Sequence, residues 1–189
     1  MAAVKYFPRF PEGARLTPDQ CRYCGRAPAL PEIRLGFGTG AHGSICADCL
    51  AEGKATVNVP SWVQRDLESS VDSAHPIWSE QQRSRYVRER VNELACTPPV
   101  PWLQDNEWPV CGDDFAEYTS EVTKELLLQQ YGTVAEAKSA LRGILKDALP
   151  NWEQSDDAVD AEWAELGNYL AIFLFRCQDG KSVYIVQTA

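Results

Sequence analysis

Long apolar runs are missing from this chain of 189 residues, and the longest, Leu170-Ala171-Ile172-Phe173-Leu174-Phe175, falls far short of the ~20 residues a membrane span needs. Met1-Ala2-Ala3-Val4-Lys5-Tyr6 lacks an apolar signal core. The expectation is a soluble, cytoplasmic protein with no membrane contact. Histidine is scarce too: only His42 and His75 are present, and each reads more simply as a solvated loop residue than as a metal ligand or catalytic base. No repeat or low-complexity tract is visible. A chain that is 44% apolar and 24% charged is not collagen, coiled coil or a disordered segment, and it can bury a core of its own.

Positive charge is scarce in one half only. The chain carries 18 Lys/Arg against 27 Asp/Glu, a net charge of −9. Residues 1–99 hold 12 basic and 11 acidic side chains, whereas residues 100–189 hold 6 and 16, so the balance is +1 against −10. Such a half repels nucleic acid and attracts basic partners.

What is plentiful for the length is cysteine, seven in all. An odd number with two pairs at knuckle spacing does not suit a secreted disulfide scaffold. Cys21-Arg22-Tyr23-Cys24-Gly25 and Cys46-Ala47-Asp48-Cys49 are C-x-x-C units separated by 21 residues, the pattern of a zinc ribbon. Two thiolates three residues apart can grip one ion from a tight turn, and Gly25 allows the positive φ that aims N–H groups at sulfur. Cys21, Cys24, Cys46 and Cys49 are therefore the expected metal ligands. The expected cofactor is one structural Zn2+, because four cysteines leave no open position for water or substrate.

Turn residues set the expected architecture: an α+β chain with an N-terminal zinc-ribbon-like unit, a helical middle and a C-terminal antiparallel β-hairpin. The expected domains are a ribbon-like unit at 1–56 and an α+β domain with an acidic C-terminal half at 57–189. Val4-Lys5-Tyr6-Phe7 reads as a short strand ended by Pro8, and Pro31 to Leu35 as a strand between the knuckles, with Gly36, Gly38, Gly40 and Gly43 returning the chain. Residues 61–72 have a helical pattern. Ser79 with Gln82 forms a capping box for a helix at about 80–95, its buried stripe being Val87, Val91 and Leu94. Residues 102–115 read as irregular, Glu117–Tyr131 and Thr133–Leu149 as helices, 153–165 as an acidic stretch, and Tyr169–Cys177 with Ser182–Gln187 as a hairpin turning on Asp179-Gly180.

Two functional surfaces suggest themselves. Asp113, Asp114, Asp156, Asp157 and Asp160, with Trp108 and Trp152 as aromatic anchors, could form a docking face for something basic, or the acids could be an ordinary solvated face. Cys111-Gly112-Asp113-Asp114 could be a nucleophile beside an acid, but no histidine accompanies it in sequence, so catalysis is not expected.

Phe7-Pro8 ahead of the knuckles, Cys46-Ala47-Asp48-Cys49-Leu50-Ala51-Glu52-Gly53, Thr97-Pro98-Pro99, Trp102, Trp108, Cys111-Gly112-Asp113 and the closing Leu174-Phe175-Arg176-Cys177 resemble the CbrC family. Its name is tied to tolerance of E-type colicins, bacterial toxins that include nucleases. The family pattern suggests a second cysteine shortly after Cys177, where this chain has Asp179-Gly180. The resemblance implies a non-enzymatic bacterial protein giving tolerance or immunity to an antibacterial toxin, with a basic toxin domain such as a nuclease as partner. The alternative is a nucleic-acid-associated zinc-ribbon regulator using Arg22, Arg26 and Arg34, which the acidic balance disfavours.

Overall fold

The structure, a computed structural model, describes residues 4–8, 17–27, 29–34 and 42–189. Gly36, Gly38 and Gly40, expected to return the chain between the knuckles, lie outside the described residues, as does Leu35. Helices and antiparallel strands mix along the chain, as expected for an α+β protein, and no described helix is long and apolar enough to cross a membrane. Two compact units are formed, Met1–Pro101 with Asn106–Tyr118, and Trp102–Asp105 with Thr119–Ala189.

In the first unit, β1 (Leu30–Arg34) and β2 (His42–Ile45) pair antiparallel, and α1 (Ala47–Ala51) follows at once. Helix α2 (Ser61–Ala74) buries Val63, Leu67 and Val71, four residues apart on one face. Helix α3 (Glu80–Ala95) starts where the sequence predicts: Ser79 Oγ accepts the Gln82 N–H and the Gln82 side chain accepts the Ser79 N–H, a complete capping box. Val87 and Leu94 are buried and Val91 is half-buried, which is the expected stripe.

Residues 102–115 are not wholly irregular. β3 (Val110–Cys111) and β4 (Asp114–Phe115) form a tight hairpin, made possible by Gly112 at φ 66°, a conformation open to glycine without strain. The strand expected at Val4–Phe7 is instead a turn closed by Phe7 N–H on the Val4 carbonyl at 3.1 Å. The reason lies in the burial pattern: Tyr6 and Phe7 are both buried, which a half-exposed strand with alternating faces cannot do. Their rings meet Phe115 and Tyr118 edge-on at 5.7 and 4.7 Å.

A three-stranded sheet has the order β5-β6-β7, with β5 at Glu117–Glu121, of which residues 119–121 belong to the second unit, β6 at Leu170–Arg176 and β7 at Ser182–Thr188. β6 and β7 form the expected hairpin, in register from Leu170 opposite Thr188 to Arg176 opposite Ser182, turning at Gly180 with φ 84°. The continuous helix expected over Glu117–Tyr131 is a correction: the first residues are strand, and α4 (Lys124–Tyr131) starts at Thr123, whose hydroxyl accepts the Leu126 N–H. Pairing with the sheet prevails over helix propensity there, and Val122 N–H reaches the Ile172 carbonyl at 2.7 Å. α5 (Val134–Ala148) follows its Thr133 cap as expected.

The acidic stretch is ordered as α6 (Asp156–Glu165), capped by Ser155, with Asp156 and Asp157 in the first turn where the helix dipole favours them. The core of this unit gathers Val122, Leu127, Ala137, Leu141, Ile144, Leu145, Leu166, Leu170 and Ile172. The buried Gln187 amide fastens residues 102–105 to β7, accepting from Leu103 and Gln104 N–H and donating to the Asp105 carbonyl.

Candidate metal centre

Local backbone geometry brings the four expected cysteines together. Gly25 N–H bonds the Cys21 carbonyl and Cys21 N–H the Arg26 carbonyl, both at 2.8 Å, so the first knuckle is a closed turn with Gly25 at φ 70°. Arg22 N–H then reaches the Ser44 carbonyl at 2.9 Å, tying that turn to β2 just before the second knuckle. Cys46 occupies the N-cap position of α1 without a side-chain capping bond, and Cys49 lies in the first turn. The Sγ atoms of Cys21, Cys24, Cys46 and Cys49 all lie within 4.8 Å of one another. Tetrahedral sulfur ligation with metal–sulfur bonds of ~2.3 Å places sulfurs ~3.8 Å apart, so this set could hold a thiophilic metal ion. Cys24 and Cys46 Sγ are 3.6 Å apart.

Electrostatics prepares the set unevenly. The backbone N–H and guanidinium of Arg26 hold the exposed Cys24 thiol down to about 6. Burial pushes Cys49 up to about 12, and burial also raises Cys46. In Cys21 the raising effect of burial is overcome by N–H groups of Cys46, Tyr23 and Cys24, and the net shift is downward. Four thiolates packed this closely repel one another, and a bound cation removes that repulsion. Two flanking cations relieve it further. Arg26 pairs with Asp48 at 3.1 Å and bridges the knuckles, while Lys54 Nζ lies 3.9 Å from Cys49 Sγ.

The candidate docking residues divide between the two units, with Trp108, Asp113 and Asp114 in the first and Trp152, Asp156, Asp157 and Asp160 in the second. Trp108 is buried, its indole N–H donating to the Ala116 carbonyl at 2.8 Å, which makes it part of the first unit's core. Asp114 is also buried: its carboxylate accepts from Tyr6 Oη at 2.5 Å, Lys5 Nζ at 2.7 Å and its neighbour Phe115 N–H at 2.9 Å. Asp113 stands in the β3–β4 turn, paired with His75 Nε2 at 2.7 Å. In the second unit Asp156 pairs with Arg142, and Asp160 with Lys138 at 2.7 Å; Asp157 is exposed, and Trp152 is half-buried against the core.

Sequence reasoning missed the histidine beside the Cys-Gly-Asp-Asp segment. His75 is not a solvated loop residue: it stacks on Trp78 at 3.7 Å and its bond to Asp113 holds that carboxyl below the usual range. The two are 38 positions apart, and only the packing of α2 beside the β3–β4 hairpin joins them. A Ser70 hydroxyl bond to the Gly112 carbonyl holds the same junction. The only advance signal was His75 standing directly before Pro76 at the end of a helical pattern.

No curated protein and no solved structure matches the chain. The profile of one family, described as Uncharacterised protein family (UPF0167), matches residues 1–187. A match over nearly the whole length, through the knuckles, the Cys-Gly-Asp segment and the closing hairpin, shows that this chain belongs to the UPF0167 family.

Proposed function

We propose that the chain is a non-enzymatic zinc protein that binds a basic protein partner through its acidic second unit. The four-cysteine cluster is the observation that carries the metal half of this reading. Zinc suits four thiolates at tetrahedral spacing, and with all four positions filled by protein the ion contributes folding energy and no catalytic water. The residues that would hold it are Cys21, Cys24, Cys46 and Cys49, with Arg26 and Lys54 outside them.

Charge carries the partner half. The second unit has 12 Asp/Glu against 6 Lys/Arg, and Glu153, Asp157 and Glu165 are exposed on or beside α6. Such a surface steers cationic proteins in long before contact. The resemblance to the CbrC family suggests the partner's kind: an antibacterial toxin, with a nuclease the natural choice, since a nuclease carries a basic surface for its polyanionic substrate. On this reading the chain confers tolerance by covering that surface.

The test is capture of a purified toxin nuclease domain encoded beside the gene, at about 0.15 M salt, where weak surface attraction is screened. Retention together with loss of nuclease activity supports the reading. A domain that passes through unretained and stays fully active overturns direct immunity.

A further inference from the structure

Outside the cysteine cluster, the described residues build a second prepared site at the corner where α2 turns into α3. His75 N–H closes α2 on the Val71 carbonyl at 2.9 Å, and Trp78 N–H returns to the His75 carbonyl at 3.1 Å. This turn lays the two rings face to face, centroids 3.7 Å apart and 4° from parallel. Asp113 fixes the imidazole at Nε2, and Tyr86 meets Trp78 edge-on at 5.3 Å. Trp78 is thereby held as a rigid shelf, and a ring already ordered binds a ligand without a further loss of rotamer freedom.

A cleft of about 330 Å³ lies against it, lined by Trp78, Gln82, Arg85, Tyr86 and Glu89. Gln82 Oε1 accepts from both Ser79 N–H and Ser79 Oγ at 2.9 Å, which orients the amide and leaves its N–H donors for the cleft. The Arg85 side chain is 82% exposed and held by Glu89, one helical turn away at 2.9 Å. A surface pair of that kind is weak, so the guanidinium can turn to a phosphate and bond it through two N–H groups. A flat aromatic face, a fixed N–H donor and an available guanidinium together complement a planar heteroaromatic ring that has an acceptor edge and an anionic substituent. A nucleotide has all three. With a net charge of −9 the chain disfavours a long polyanion, which leaves the single nucleotide as the better fit.

We infer that the α2–α3 corner binds a mononucleotide, its base stacked on Trp78, its ring edge accepting from Gln82 and its phosphate on Arg85. His75 acts as a positioning residue behind the shelf. The test titrates the full metal-loaded chain with AMP, GMP, CMP and UMP, following the Trp78 indole N–H resonance and measuring affinity by calorimetry. Binding at or below millimolar concentration is expected, with Trp78→Ala weakening it by roughly tenfold or more. Gln82→Ala and Arg85→Ala should each weaken it severalfold. His75→Ala should weaken it, and His75→Phe, which restores a ring behind the indole, should recover most of the loss. No binding at millimolar nucleotide, unchanged affinity in Trp78→Ala, or perturbations away from residues 75–89 would overturn the assignment. If Trp78→Ala does not fold, the exposed Gln82 and Arg85 variants decide, and unchanged affinity in both overturns it. Tight binding of a single-stranded oligonucleotide without binding of any mononucleotide would also overturn it, in favour of a polymer.

Discussion

Replacing Asp114 with Ala removes a buried carboxylate that joins the start of the chain to the β3–β4 hairpin. Tyr6 Oη, itself buried, donates to Asp114 at 2.5 Å, and a hydrogen bond to a charged group is worth ~1.5–3 kcal/mol. The Lys5 ammonium at 2.7 Å adds little, since Lys5 is 39% exposed and water screens it; ~0–1 kcal/mol is the range for such pairs. Asp114→Ala should therefore cost about 1.5–4 kcal/mol by these two contributions. Tyr6→Phe deletes the donor alone. In the Asp114→Ala background that second change should cost less, since the hydroxyl then keeps only the longer bond to Glu93 Oε2 at 3.2 Å and the one it accepts from Lys5 Nζ at 2.9 Å. Urea unfolding of the four proteins in the cycle, with zinc present and at neutral pH, measures the coupling directly. A coupling of about 1.5–3 kcal/mol is expected, and one below about 0.5 kcal/mol would refute the claim that this bond holds the two segments together.

Metal analysis of protein purified under reducing conditions should find one zinc per chain, and Cys24→Ser should lower the content and loosen residues 17–56 first by hydrogen exchange; metal-free protein that is fully folded would refute a structural role. Because Asp113 titrates below its ordinary range when folded, its contribution is present above the usual carboxylate pKa and lost as pH falls through the depressed value. The stability gap between the parent and Asp113→Asn should thus close on acidification below about pH 4, and a gap independent of pH would refute the His75 pairing as its cause. Reversing Asp156, Asp157 and Asp160 to Lys should slow association with a basic toxin domain more than it speeds dissociation, as stopped-flow mixing can resolve; an unchanged on-rate would remove α6 from the encounter surface.

Local signals carried much of the fold. The Ser79 and Thr133 caps, the glycines after the first knuckle and in the last hairpin, and the apolar run of β6 each act over a few residues, and each placed its element correctly. Failures came where distant partners decide. Glu117–Glu121 is a strand because β6 lies beside it, and Tyr6 and Phe7 leave the strand pattern because aromatic rings from residues 115 and 118 surround them. The same division runs through the sites. Cysteine spacing marks the metal cluster because each knuckle is local, but no local pattern joins His75 to Asp113 or buries Trp108 and Asp114.

The two ion pairs between α5 and α6 bear on how acidity should be counted. Lys138 and Arg142 stand one turn apart, as do Asp160 and Asp156 opposite them. Seen from several nanometres away, each pair is a small dipole, and what remains of the unit's field comes from acids such as Asp157 and Glu153, beside which none of the described residues places a cation. At contact the distinction sharpens: an incoming lysine that takes Asp156 must first displace Arg142, trading one bridge for another of similar worth. Two aspartates on the same helix, equal in any tally of charge, are thus unequal as recognition elements. The exchange is near neutral at Asp156 and a net gain at Asp157.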